Sequence, residues 1–176
     1  MIKGWYVYVS VPFLKTPLET STKKGVIGVD INANHIAIAE TDHFGNPIAK
    51  RTIPLNTYGK TSHQSKALIG DMCKELVKLA KEKGKTLIIE ELDFSKKKAT
   101  LKEQGNTKYA RMLSSFSYSA IKNGLTAKAW REGVEVCQVN PAYTSVIGRI
   151  KFANRYGLSI HHAAALTIGR RHLRAS

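Results

Sequence analysis

Three apolar segments follow one another between Gly25 and Ile53, and the short links between them restrict how the chain can run. Gly25 to Ile31 and His35 to Glu40 are joined by Asn32-Ala33-Asn34, and Pro47 to Ile53 follows the link Asp42-His-Phe-Gly-Asn46. Asn, Asp and Gly at such links favour tight reversals, so the three segments are expected to form an antiparallel meander. Within it, Asp30 is a lone carboxylate near the C-terminal end of the most apolar strand.

The pattern then changes. Ile69, Met72, Cys73, Leu76, Leu79 and Ala80 recur at helical spacing and predict a helix over Ser62 to Lys83, closed by Gly84. Thr86 to Leu92 reads as a short buried strand, and the polar stretch up to Lys108 as a basic loop. A second helix is expected from about Tyr109 to Arg131, a strand over Val134 to Val139, and a final helix from Ser159 or His161 to about Leu173. Strands separated by helices of this length imply parallel crossovers. Three antiparallel strands extended by two parallel ones give an α/β fold of ribonuclease H type, a mixed five-stranded sheet with flanking helices. Upstream, GWYVYVSVPF is aromatic and β-branched and reads as a further strand, followed by a polar linker.

Composition agrees with one such domain. The chain has 176 residues, 43% of them hydrophobic, enough for a real core. Its formal net charge of +15 favours polyanionic partners such as nucleic acid. The cations group as Lys96, Lys97 and Lys98 in the loop after the fourth strand, Arg149, Lys151 and Arg155 in a short loop before the last helix, and Arg170 and Arg171 on that helix. Such residues set affinity and register on a phosphate backbone, not sequence preference. Cys73 and Cys137 lack metal-ligand spacing and read as buried thiols of a reducing, cytoplasmic compartment, with no zinc site. No apolar run approaches the ~18 residues of a membrane span, and the N-terminal stretch lacks the cleavage site of a signal peptide.

The expected topology sets the first and fourth strands side by side. Asp30 and Glu90 would then meet at one end of the sheet, although they lie far apart in sequence. Alternation allows only one of Glu90 and Glu91 to share the face of Asp30. Two carboxylates in proximity repel, and a divalent cation removes the cost. Mg²⁺ is commonly held by one or two carboxylates with water and substrate phosphates. Two such ions about 3.5–4 Å apart can activate water and stabilise the leaving oxygen in phosphodiester cleavage.

GVIGVDINANHIAIAETD resembles the first nuclease motif of the TnpB proteins of IS200/IS605-type transposons, RNA-guided DNA endonucleases related to Cas12. LIIEEL resembles their second motif, which selects Glu90 over Glu91; GVEVCQVNPAYTS is similar to the segment before their zinc-binding insert, and AALTIGRR to their third motif. GWYVYVSV is similar to the last strand of the domain that precedes their nuclease domain. The resemblance implies residues 1–22 as a residual strand and linker and 23–176 as a RuvC-like nuclease domain. It implies a Mg²⁺ or Mn²⁺ site on Asp30, Glu90 and His161, with His161 where the family has its third acid. His162, next to it, is the alternative. Imidazole suits Mn²⁺ better than Mg²⁺, or serves instead as a general acid or base. The paired cysteines of the family's zinc element are absent from VIGRIKFANRYGLSIHH. Tyr143 and Ser145 in NPAYTS read as packing or backbone-contacting residues, core packing being the expectation for Tyr143.

The implied partners are DNA, as a single or target strand, and a guide RNA or RNA–DNA heteroduplex. The N-terminal part of a longer protein, or a second copy in a homodimer, is a further possible partner; a membrane is not. Three other readings stay open. One is a nucleic-acid-binding accessory module that does not cleave. Another is a guide-independent, structure-selective resolvase. The third is an actin-like ATPase, since GVIGVDIN resembles that family's first phosphate strand, but the chain is too short for two such lobes and has no later Gly-rich nucleotide loop.

Overall fold

The first strand, β1 (Ser21–Ile31), lies at the centre of a five-stranded sheet of order β3-β2-β1-β4-β5. The computed structural model describes residues 7–9, 16–32, 34–57, 59–91 and 115–175, the side chains of 115–117 and 175 aside. β2 (His35–Thr41) and β3 (Pro47–Pro54) complete the meander and are antiparallel to their neighbours. After helix α1 (Ser62–Lys83), β4 (Lys85–Glu90) pairs parallel to β1; after α2 (Ser115–Arg131), β5 (Val136–Val139) pairs parallel to β4. The mixed sheet expected from the sequence is therefore present. The predicted start of α2 at Tyr109, and Lys96, Lys97 and Lys98, lie outside the described residues.

β1 starts earlier than its apolar pattern. Ser21 to Lys24 are polar, and the strand carries them across a break in the β1–β4 register between Ser21 and Val26. Gly25 makes that break possible: its φ is +101°, and an added Cβ would lie 2.1 Å from the carbonyl oxygen of Thr41. Of the strand expected over GWYVYVSVPF only Val7 to Val9 are described, exposed and without strand pairing; the rest lies outside the described residues.

α1 begins where Thr61 and Gln64 close a reciprocal capping box and ends at Gly84, whose φ of 62° supplies the left-handed cap. Its apolar stripe (Ile69, Met72, Leu76 and Val77) packs with Ile121 and Leu125 of α2 on Ile27, Val29, Leu87 and Ile89. Cys73 is buried here, and burial pushes its thiol up to about 11. Cys137 on β5 is only half-buried, less than the sequence suggests, because β5 is an edge strand. At the end of the sheet away from Asp30, Lys85 donates to Glu40 at 2.7 Å, an ion pair closed off from water.

The other face carries two layers. Residues 144–157 are not the loop expected. They form one irregular helix, α3: an α turn Thr144–Ile147, a π segment Gly148–Ala153, and an α turn Asn154–Tyr156. Gly157, at φ 60°, ends it. The final helix, α4 (Ile160–Ala175), lies between α3 and the sheet. Contact there is backbone to backbone. A Cβ on Gly28 would lie 2.0 Å from the carbonyl oxygen of Ala165, and one on Gly148 would lie 2.6 Å from the carbonyl of Ala163. Around these contacts Ala39, Phe152, Ala163, Ala165 and Leu166 form one small core, and Val26, Ile88 and Ile168 another.

Gly28→Ala is expected to destabilise the fold by at least about 3 kcal/mol, because the clash is with main chain that cannot rotate away. Gly70→Ala, inside α1 where an added Cβ meets nothing within 4 Å, should be neutral or stabilise by up to about 1 kcal/mol. Urea unfolding midpoints of the two variants test the contrast.

Candidate active site

The parallel pairs Val26↔Thr86, Ile27↔Leu87 and Gly28↔Ile88 fix the register of β1 against β4. Two residues further on, the same register brings Asp30 and Glu90 to one end of the sheet. Alternation puts both side chains on the face of Gly28 and Ile88, the face that α4 covers. Glu91, one residue on, is exposed, its amide donating to the carbonyl of Val139 at 2.8 Å. Glu90 is thus the acid that shares the face of Asp30.

Asp30 is held from two sides. Asn32 Nδ2 donates to Oδ2 at 2.9 Å, and His161 Nδ1 stands 3.3 Å from the same oxygen. No hydrogen bond reaches Oδ1 among the described residues, although the side chain is only 12% exposed. His161 is 48% exposed and projects from the first turn of α4. Its ring meets that of His35 edge-on, centroids 4.8 Å apart. His162 has a different task. Its Nε2 lies 3.1 Å from both the Arg51 carbonyl and Thr52 Oγ1, and its Nδ1 2.7 Å from Ser159 Oγ. A carbonyl only accepts, so Nε2 carries the hydrogen and the ring ties α4 to β3. Of the two adjacent histidines, His161 is the one that meets Asp30.

Glu90 is fixed by groups with little sequence signature. Thr144 Oγ1, buried at the start of α3, donates to Glu90 Oε1, and Tyr118 OH donates to the Glu90 carbonyl at 2.6 Å. Thr144 stands between Tyr143 and Ser145 in NPAYTS, and nothing in the pattern distinguishes it. Tyr143 is not a core residue: it is 75% exposed, and its φ of 62° turns it outward as the chain enters α3.

Two of the candidate nucleic-acid contacts also serve the fold. Arg171 donates to the carbonyls of Asn140 and Ala142, holding the loop that delivers Thr144. Arg170 donates to the Gly45 carbonyl at 2.7 Å and stacks over Phe152, 5.0 Å from the ring centre. Arg149, Lys151 and Arg155 are exposed along α3.

A divalent cation suits part of this arrangement. Two hard-oxygen carboxylates on adjacent strands, one with an oxygen that takes no hydrogen bond among the described residues, match the one-or-two-carboxylate holding of Mg²⁺. His161 stands beside them with its Nδ1 toward Asp30. Among the described residues, no three His, Cys, Asp or Glu side chains converge to hold an ion.

No protein-family model and no curated protein sequence matches the chain. Solved structures do. RuvC of Thermus thermophilus in complex with Holliday junction substrate superposes with a TM-score of 0.57 at 17% identity, over 85% of this chain and 93% of that one. A second Thermus thermophilus RuvC structure gives 0.57 at 14% identity, over 85% and 94%. The fold is RuvC-like. A Cas12f1–sgRNA–target DNA complex gives 0.56 at 15% identity, over 92% of this chain and 51% of that one.

Burial holds His35 below the usual histidine range, and neighbouring His161 pushes the same way against the pull of Asp30. The folded state therefore favours neutral His35. Below about pH 6.5 the unfolded chain takes the proton more readily, so this contribution is full above that pH and is lost as pH falls through the folded value. Thermal melts between pH 8 and 5 should show a steeper acid-side loss of Tm in the native chain than in His35→Asn.

Proposed function

We propose that this domain is a metal-dependent nuclease acting on DNA, with Asp30 and Glu90 holding Mg²⁺ or Mn²⁺. The supporting observation is the convergence of these two carboxylates on the α4 face of adjacent parallel strands, with His161 Nδ1 3.3 Å from Asp30. A bound divalent ion supplies an activated water and charge stabilisation at the phosphoryl and leaving oxygens. The chain's own residues do the rest. Asn32 and Thr144 fix the orientation of the two carboxylates, so that little reorganisation is left for the reaction. His161, half in solvent, holds or passes a proton beside Asp30 Oδ2. His162 and Ser159 anchor the helix that carries it.

The finer reading is a TnpB-type, RNA-guided nuclease domain. The quoted motifs support it, as does the fold shared with a Cas12f1 complex of which this chain spans about half the length. In such an assembly base pairing reads the sequence and the protein holds the duplex through its backbone. Guide-independent cutting of branched DNA is the second reading. Its support is the fold shared with a RuvC that binds a Holliday junction, over 93% of that chain.

Cleavage of single-stranded DNA, a four-way junction and an RNA–DNA hybrid, each with Mg²⁺ or Mn²⁺, tests both readings. Asp30→Asn and Glu90→Gln should each lower the rate a hundredfold or more, the loss of roughly 3 kcal/mol of transition-state stabilisation. His161→Ala should cost about 10²-fold, and chelation of the metal should abolish cutting. Metal-dependent cleavage that persists in Asp30→Asn overturns the assignment.

A further inference from the structure

On the outer side of the molecule, α3 and α4 enclose a pocket of about 470 Å³. Among the described residues, its wall holds five cations, Lys151, Arg155, Arg170, Arg171 and Arg174, set around Phe152, and no acidic residue. None of the five takes part in an ion pair among the described residues. Arg170 sits on the Phe152 ring, and its buried Nε has no hydrogen-bond partner. Like charges gathered without counter-charge repel one another, and a guanidinium donor without a partner costs free energy. A fold that keeps this arrangement has a negative ligand to gain from it.

We infer that this pocket is a second anion site, which grips backbone phosphates of a bound single strand away from the cleavage centre. The inference rests on the proposal that the domain binds nucleic acid. Both of the pocket's helices also build the candidate active site. Lys151 lies seven residues beyond Thr144 on α3, and Arg174 thirteen beyond His161 on α4. At 1.5 Å per residue these are about 10 and 20 Å along the helices. Phosphates a few nucleotides from the cleaved one lie within that reach. Arg170 and Arg171 are fixed in the pocket wall by donating to the carbonyls of Gly45, Asn140 and Ala142. Arg155 and Arg174 are exposed and make no hydrogen bond to the rest of the described chain, which leaves their charge for a ligand.

The test uses the whole chain in EDTA, so that no cleavage occurs. Binding of a fluorescent 20-nucleotide single-stranded DNA is followed by anisotropy from 50 to 300 mM NaCl. In R155Q/R174Q the affinity at low salt should fall about tenfold, and the slope of log K against log salt should fall by about 1.4, or 0.7 for each lost phosphate contact. R155K/R174K should restore the slope. The control K66Q/K122Q removes two charges from α1 and α2, on the opposite face of the sheet, and should leave the slope within about 0.3 of the native value. An unchanged slope in R155Q/R174Q, or an equal fall in both glutamine doubles, overturns the inference. So does an unchanged DNA slope when tripolyphosphate stabilises the native chain but not R155Q/R174Q, because the pocket then takes a free oligoanion. Metal-dependent cleavage that stays intact while the slope does not move removes this site and leaves the nuclease proposal standing. A slope change without any cleavage by the native chain does the reverse.

Discussion

The structure depends on the main-chain contact between β1 and α4 at Gly28. A side chain there would collide with the Ala165 carbonyl, so α4 can lie this close to the sheet only because Gly28 has none. That approach sets the height of the first turn of α4, and with it the position of His161 over Asp30. The small residues continue outward. Ala163 and Gly148 let α3 settle onto α4 almost as closely as α4 settles onto β1. Thr144 at the start of α3 then reaches Glu90 from a third layer. The carboxylate pair is therefore assembled by successive close contacts, each made possible by a missing or minimal side chain.

Much of this plan is legible in the residues. The turn-rich links at Asn32–Asn34 and Asp42–Asn46 determine the meander, and helix–strand alternation determines the parallel additions, so the level placement of Asp30 and Glu90 follows from topology. What escapes is local and physical. The π segment spaces its buried residues Gly148, Phe152 and Ala153 at intervals of four and one, which is no helical stripe, so the region reads as a loop. Tyr143 looks like a core aromatic because its left-handed backbone cannot be seen in its side chain. Thr144 is invisible because its importance lies in one hydrogen bond. Arg170 and Arg171 read as surface charge, yet each donates to carbonyls distant in sequence.

The positive charge is also unevenly used. Around α1 and α2, cations are met by acids: Arg51 by Glu75, Lys74 by Asp71, Lys81 by Glu19 and Glu132, Lys128 by Glu132. On the face of α3 and α4, the contact of His161 with Asp30 is the sole pairing of this kind among the described residues. Among the described residues, Lys151, Arg155, Arg170, Arg171 and Arg174 thus stand together without acidic partners on the α3 and α4 side. Unpaired cations gathered on one side raise the local potential there, the kind of surface that attracts anions.

The π winding of Gly148–Ala153 has a consequence for how this chain can vary. A π turn is an α-helix holding one surplus residue. Deletion of a single residue in that stretch would let the helix wind regularly, and every side chain after it would swing by about 100° around the axis. Arg155 would leave the rim it now shares with Arg174, and Phe152 would leave Arg170. The surplus residue in this segment therefore sets at once where the basic side chains of α3 point and how Phe152 and Ala153 meet the core beneath them.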